Sequence, residues 1–225
     1  MANLFIVATP IGNLEDISLR ALRILIEVDI ILCEDTRVTR KLLLRYDIKV
    51  PVLSYHQHSK LKKINHIADL LEKGEDLALV SDSGTPGISD PGNKLIEFLV
   101  KKDINLTIIP IPGSSAAITA ASISGFPMDK FTFLGFPPHK KKRNKFFGEL
   151  LEIKHPVVFY ESPHRIIKTL NEINDKSQEM NLNSQVVVCR ELTKKFETIY
   201  RGTIDEVIKK IKDDKIKGEF TVIIY

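Results

Sequence analysis

The residues best equipped for chemistry stand in loops that follow short apolar runs. The longest such loop is Ser81-Asp82-Ser83-Gly84-Thr85-Pro86-Gly87-Ile88-Ser89-Asp90-Pro91-Gly92. Its glycines remove side chains where a backbone must approach a ligand or take a positive φ. Its two prolines preset the loop's shape. Asp82 and Asp90 could accept hydrogen bonds from hydroxyl or ammonium groups. The loop has neither G-x-G-x-x-G nor G-K-[ST], so a pyrophosphate cradle is disfavoured. Ala8-Thr9-Pro10-Ile11-Gly12-Asn13 and Pro110-Ile111-Pro112-Gly113-Ser114-Ser115 repeat this chemistry after two other apolar runs. Such loops suit a neutral or zwitterionic ligand held by backbone groups; a rigid turn with a helix cap is the plainer alternative.

Charged segments follow other apolar runs. Cys33-Glu34-Asp35-Thr36-Arg37 sets adjacent carboxylates beside an arginine. Asp35 could instead cap the next helix, with Arg37 as its surface partner. Cys33 fits a small core residue better than a nucleophile. Glu161-Ser162-Pro163-His164-Arg165 and Arg190-Glu191-Leu192-Thr193-Lys194-Lys195 place both charge signs at strand ends, suggesting a lined cleft or solvated caps. His139-Lys140-Lys141-Lys142-Arg143-Asn144-Lys145 is the densest basic run. It could neutralise RNA phosphates, although such runs are more often solvated helix faces. His56-x-His58 lacks further ligands at a metal-site spacing, so no metal is expected.

Elements must hold these segments in place. Leu4–Ala8, Ile30–Cys33, Val52–Ser54, Leu77–Val80 and Leu106–Ile109 read as strands. Helices are expected from a cap at Asp16 or Ser18 to Val28, with Leu19, Leu22 and Ile26 among its apolar residues, and over Thr36–Arg45, Leu61–Lys73 and Pro91–Lys102. This alternation predicts a largely parallel sheet, whose ligands gather at the strands' carboxyl ends. Small residues over Ala116–Gly125 and the break at Gly125-Phe126-Pro127 predict a boundary there, giving domains 1–122 and 123–225. The second half reads as strands 131–134, 156–160, 185–190, 197–201 and 219–224 with helices 166–175 and 204–212, an α/β domain with a mixed sheet.

The bulk properties agree. A chain of 225 residues, 43% hydrophobic and 28% charged, is ordinary for a globular protein and too apolar for a disordered one. Its 33 basic and 29 acidic side chains give a net charge of +4, which permits a polyanionic partner without requiring one. Cys33 and Cys189 form no disulfide framework, so a reducing cytoplasm is expected. The first eight residues do not read as a signal peptide, and no run approaches the roughly 20 apolar residues of a membrane span.

Eight motifs in order carry a resemblance. They are Ile6–Leu14, Cys33–Arg37, Ser81–Gly92, Pro112–Ala116, Phe133-Leu134-Gly135-Phe136-Pro137, Glu161–Arg165, Arg190–Lys194 and Gly218-Glu219-Phe220. Together they resemble the ribosomal RNA 2′-O-ribose methyltransferase branch of the tetrapyrrole methylase superfamily, over nearly the whole chain. The resemblance implies the two-domain tetrapyrrole methylase α/β fold, with S-adenosylmethionine between the domains and a homodimer. It implies a cytidine of the small-subunit rRNA decoding region as substrate, within an assembled 30S subunit. By motif position, Pro10, Gly84, Thr85, Pro86, Gly87, Ile88, Ser115 and Ala116 look like cofactor contacts, with Glu161 and Phe220 as weaker ones. Members of the branch usually continue past the Gly218-Glu219-Phe220 strand into a small C-terminal region that would add RNA affinity. Tetrapyrrole-modifying relatives tend to carry Gly-Asp-Pro where this chain has Gly84-Thr85-Pro86, which favours the RNA branch.

For that reaction the ribose hydroxyl must lose a proton as its oxygen is methylated. Residue type and strand-end position make Glu34 and Asp35 the first candidates for the base, then Glu191. Arg37, Lys141, Arg143, Arg165, Arg190 and Lys194 are the candidates for flanking phosphates. A tetrapyrrole methylase or a non-catalytic ribosome-binding protein on the same scaffold are the competing readings.

Overall fold

The computed structural model describes residues 2–56, 59–214 and 216–225. The chain forms two units, one ending at Ser115 and the other beginning at Ala116.

The first unit alternates strand and helix: β1 (Ala2–Val7), α1 (Leu19–Glu27), β2 (Ile30–Cys33), α2 (Thr36–Arg45), β3 (Val52–Ser54), α3 (Leu61–Glu72), β4 (Leu77–Val80), α4 (Asn93–Lys101) and β5 (Leu106–Ile111). The strands form one sheet in the order β3-β2-β4-β1-β5, and every pairing is parallel. Leu4 of β1 stands between Leu77 of β4 and Ile108 of β5.

Strand side chains alternate between faces. Val7, Ile31, Cys33, Ala78, Val80 and Ile111 pack with α1 and α2. Leu4, Leu32, Leu77 and Leu79 pack with α3 and α4. The handedness of crossovers accounts for this division. The chain runs in one direction along the sheet from β1 to β3 and in the other from β3 to β5. Right-handed connections then place the two helix pairs on opposite faces. The connections leaving β1 and β4, which are neighbours, therefore diverge to opposite faces, the arrangement that opens a ligand crevice at the carboxyl edge.

Local signals set the helix ends. Ser18 caps α1, its Oγ accepting from the Ala21 amide at 3.1 Å. The buried face of α1 is Ala21, Ile24 and Leu25, whereas Leu19 and Ile26, expected among its apolar contacts, are 85% and 60% exposed. Arg20, Arg23 and Glu27 share the polar face, and the apolar arc is wider than the sheet can cover, so the sheet decides which part of it is buried. The pattern of α3 puts Ile64, Ile67, Leu70 and Leu71 on one face; the last three are buried and Ile64 is half-buried, and Gly74 at φ +93° ends the helix.

The second unit contains α5 (Ala116–Ser122), β6 (Thr132–Phe133), α6 (Arg143–Glu152), β7 (Val157–Glu161), α7 (Ile166–Glu179), β8 (Gln185–Arg190), β9 (Thr198–Thr203), α8 (Ile204–Lys212) and β10 (Phe220–Ile224). Its sheet order is β6-β7-β10-β8-β9, with β6 and β7 parallel and the other pairs antiparallel. The α/β class with a parallel and a mixed sheet is thus as expected. Phe147, Leu170, Ile173, Val207 and Ile211 of α6, α7 and α8 cover one face of Phe159, Val188, Phe220 and Val222. The alanine-rich α5 packs against β7 and β10. Helix α6 was hidden in the basic run, because its buried Phe147, Leu150 and Leu151 come only after five cationic residues.

Candidate active site

All five strands of the first unit end on one edge, and hydrogen bonds knit their loops together. The amide of Thr9 donates to Gly84 O at 2.9 Å, and the Gly84 amide returns a bond to Thr9 O at 3.1 Å. The Thr9 hydroxyl donates to Ser81 O at 3.1 Å, and the Ser81 hydroxyl donates to Gly84 O at 3.0 Å. The Thr85 hydroxyl reaches Ser114 O at 3.1 Å, which ties the β4 loop to the β5 loop. Two glycines make this approach feasible. Gly84 sits at φ +80°, and a Cβ on Gly113 would come within 3.0 Å of the Ala8 Cβ.

The structure thereby brings together Pro10, Gly84, Thr85, Pro86, Gly87 and Ser115 on one edge, with Ile88 48% exposed. Ala116 opens α5 in the second unit.

Beside this cradle lies a polar hollow of roughly 450 Å3, lined by Glu34 to Arg37, Ser54, His56 and Asp82. Its Asp35 caps α2, accepting from the Arg37 amide at 2.8 Å. The Arg37 guanidinium grips both Asp35 oxygens, Nε to Oδ1 at 3.0 Å and Nη2 to Oδ2 at 2.5 Å. The Arg37 side chain, then the helix amides, hold the Asp35 carboxyl down at about 2. Asp82 Oδ1 accepts from the Asp35 amide at 3.0 Å and so links the β2 and β4 loops. Ser54 carried no signal in the sequence; His56 was weighed there only as a metal ligand, and Asp82 as an acceptor for a bound hydroxyl or ammonium group. His58, the second imidazole of the His56-x-His58 pair, lies outside the described residues.

In the second unit the expected site residues are held by internal partners. Glu161, 1% exposed, accepts from Ser162 N at 2.7 Å, Arg165 Nη2 at 2.7 Å and the Thr169 hydroxyl at 2.6 Å. Arg165 also donates to Pro137 O at 3.1 Å. Arg143, 6% exposed, donates to Glu172, to the Thr169 hydroxyl and to Pro138 O. The two arginines thus clamp the Pro137-Pro138 backbone, and a guanidinium so placed has little to offer a phosphate.

Arg190, 7% exposed, is bound to Asp214 at 2.7 Å and to Lys217 O at 2.9 Å. Glu191 Oε1 accepts from Lys194 and from the Glu219 amide, both at 2.9 Å. Burial would raise the Glu191 carboxyl, but Lys194 and the Glu219 amide outweigh it and lower its pKa. Lys194 also bonds Glu219 at 2.8 Å. Phe220 is a core residue, 2% exposed. Of the cationic candidates in this unit, Lys141 stands exposed, beside exposed Lys140 and Lys142.

A model of the tetrapyrrole (corrin/porphyrin) methylase family matches residues 3–208. The chain is 47% identical over 225 residues to the ribosomal RNA small subunit methyltransferase I of Mycoplasmopsis pulmonis, spanning 100% of this chain and 98% of that one. It is 44% identical to the protein of that name from Thermotoga maritima, again across 98% of the relative. With the protein of that name from Halalkalibacterium halodurans it shares 46% identity, spanning 98% of this chain and 75% of the relative. Two of these relatives thus match this chain along almost their whole length, and one continues further. Among solved structures, cobalt precorrin-4 methyltransferase, a cobalamin biosynthetic enzyme, superposes with a TM-score of 0.73 at 17% identity, covering 99% of this chain and 94% of that one. That likeness shows the fold.

Proposed function

The chain belongs to the tetrapyrrole methylase family, and from that premise we propose that it methylates the ribose 2′-hydroxyl of a cytidine in small-subunit ribosomal RNA, using S-adenosylmethionine. The observation that carries this reading is the near-full-length identity to relatives named for that RNA.

The first unit's edge suits the cofactor. A zwitterion with a ribose calls for backbone donors and acceptors, a carboxylate and an apolar contact. The edge offers Pro/Gly backbone, Asp82 and the exposed Ile88. Pro10, Gly84 to Ile88 and Ser115 would hold it, with Ala116 next in the chain; Glu161 and Phe220 support the fold instead. Once bound, the cofactor supplies a methyl group on a sulfonium, an electrophile that needs no activation by the protein.

The chain's own residues then supply position and a proton acceptor. Glu34, half-buried in the polar hollow, takes the proton of the ribose hydroxyl. Asp35 is less suited, because its oxygens hold the helix cap and Arg37 and its carboxyl is very weakly basic. Glu191 is tied to Lys194 and Glu219. Arg37, its side chain 85% exposed, and the exposed Lys141 meet RNA phosphates. An assembled small subunit as substrate, a homodimer and a cytoplasmic setting belong to the same reading.

Incubation with methyl-labelled S-adenosylmethionine and small subunits lacking the modification tests it. Label is expected in RNA and, after nuclease digestion, in 2′-O-methylcytidine. Label in an added tetrapyrrole but not in RNA overturns the assignment in favour of a small-molecule methylase. No transfer to either, with the cofactor still bound, favours a non-catalytic ribosome-binding protein.

A further inference from the structure

One end of the second unit's sheet has its strand-end charges paired while the loops beyond them stay open. Strands β6, β7 and β8 finish at that end and β10 begins there, with Phe220 in register with both Glu161 and Arg190. Two loops rise from it, 134–142 between β6 and α6 and 191–197 between β8 and β9. Each carries an exposed phenylalanine and exposed lysines. Phe136 is 53% exposed and Phe196 65%. A single exposed apolar residue is commonplace, but two at the same sheet end, each in a cationic loop, call for an explanation.

Hydrogen bonds fix both loops. The Arg143 and Arg165 guanidiniums hold the Pro138 and Pro137 carbonyls just after Phe136, and the Tyr160 amide donates to Gly135 O just before it at 2.9 Å. The Phe136 and Tyr160 ring centroids lie 5.4 Å apart, and Phe133 meets Tyr160 edge-on at 5.0 Å. In the other loop the Thr193 amide donates to Glu197 at 2.7 Å and the Glu197 amide to Lys194 O at 3.0 Å. The Lys195 ammonium stands 5.7 Å from the Phe196 ring centroid.

The charge at this end is positive where it is free. Lys140, Lys141, Lys142 and Lys195 are exposed, and among the described residues none has a carboxylate partner. The acids are mostly engaged: Glu161 by Arg165, Glu191 and Glu219 by Lys194, and Asp214 by Arg190. Exposed Asp213 is the exception. An apolar protein partner would desolvate the lysines without pairing them. A second copy placed on a two-fold axis through this surface would set like charges together. Aromatic faces with unpaired lysines suit stacked bases and phosphates instead. Three to four strand spacings of about 4.8 Å put the two loops roughly 15–20 Å apart, a gap for a short single strand and not for one base.

We propose that this end of the second unit's sheet is a docking surface for single-stranded RNA, with bases stacked on Phe136 and Phe196 and phosphates on Lys140, Lys141, Lys142 and Lys195. It takes nucleotides other than the one that is methylated, and it needs no cofactor. That its natural RNA is ribosomal rests on the functional reading above; the affinity for single strands does not.

Fluorescence anisotropy of the full chain with a short, labelled, mixed-sequence single-stranded RNA, in the absence of cofactor, tests the surface. Phe136→Ala and Phe196→Ala are each expected to weaken binding by roughly fivefold to a hundredfold, the usual loss of one stacked base. Phe136→Leu keeps an apolar contact with Tyr160 but lacks the ring face, and it should weaken binding while melting as wild type does. Lys140→Gln combined with Lys142→Gln should flatten the slope of log affinity against log salt by about 1.4, the share of two phosphate contacts on a single strand. No binding by the wild type, or wild-type affinity in both alanine variants, overturns the proposal. Dissociation of an oligomer by either alanine variant with RNA affinity intact also overturns it and assigns the rings to a contact between copies. Methyl transfer to small subunits is read in parallel. Stacking losses in a protein that transfers nothing to RNA leave the surface standing and overturn the functional reading; transfer by the wild type with RNA affinity untouched in the variants does the reverse.

Discussion

Glu34 and Glu191 occupy matching places in the two units, each one residue beyond the end of a strand. Glu34 follows β2 and lines an open hollow. Glu191 follows β8 and is locked by Lys194 and by the amide of Glu219. The strand-end arginines differ in the same way: Arg37, though paired with Asp35, keeps its side chain exposed, whereas Arg190 is buried against Asp214.

Strand direction explains the difference. In the parallel sheet each strand's carboxyl end is flanked by other carboxyl ends, and the loops leaving them open a crevice. In the antiparallel part, the end of β8 lies beside the start of β10. The incoming chain presents free amides there, and the Glu219 amide takes up the Glu191 carboxylate. Strand-end charge is thus available for chemistry in one unit and consumed by the fold in the other.

The largest test of this contrast is Glu161→Ala. Removing this buried carboxylate strips Arg165 of its counter-charge and Thr169 of its acceptor and should destabilise the second unit by about 3–5 kcal/mol in denaturant unfolding. Cofactor affinity of the folded fraction should be unchanged. A weakened cofactor with unaltered stability would move Glu161 back to the binding site.

Asp35→Ala should cost only the modest stability of one solvent-facing helix cap. A loss of several kcal/mol would mean that the first unit's edge is also structurally locked. Smaller still is a titration effect. The Asp35 carboxyl lies near 2 in the fold against an ordinary 3.8, so its contribution is complete above the ordinary value and is lost as pH falls through about 2. Its carboxyl carbon, followed by NMR, should titrate with a midpoint near 2. A midpoint near 4 would show that Arg37 is not engaged.

The loops of the first unit's candidate site were legible in the sequence, because Pro/Gly loops after apolar runs depend on local chemistry. The Thr9–Gly84 bridge and the Thr85–Ser114 bond, which join those loops, come from the parallel sheet that sets them side by side. The roles of Arg143 and Arg190 were not legible. Their partners Glu172 and Asp214 lie 29 and 24 residues away, and nothing local separates a buried arginine from a phosphate-binding one. The phase of α1 depended on the sheet beneath it.

The central claim is that the working carboxylate belongs to the open edge of the parallel sheet. Single-turnover methyl transfer to small subunits, measured side by side for Glu34→Gln and Glu191→Gln, tests it most directly. Glu34→Gln is expected to lower the rate by about 10²- to 10⁴-fold with stability unchanged. Glu191→Gln is expected to alter folding stability and leave the rate of the folded enzyme within about tenfold of wild type. A normal rate for Glu34→Gln with a collapsed rate for folded Glu191→Gln would contradict the account.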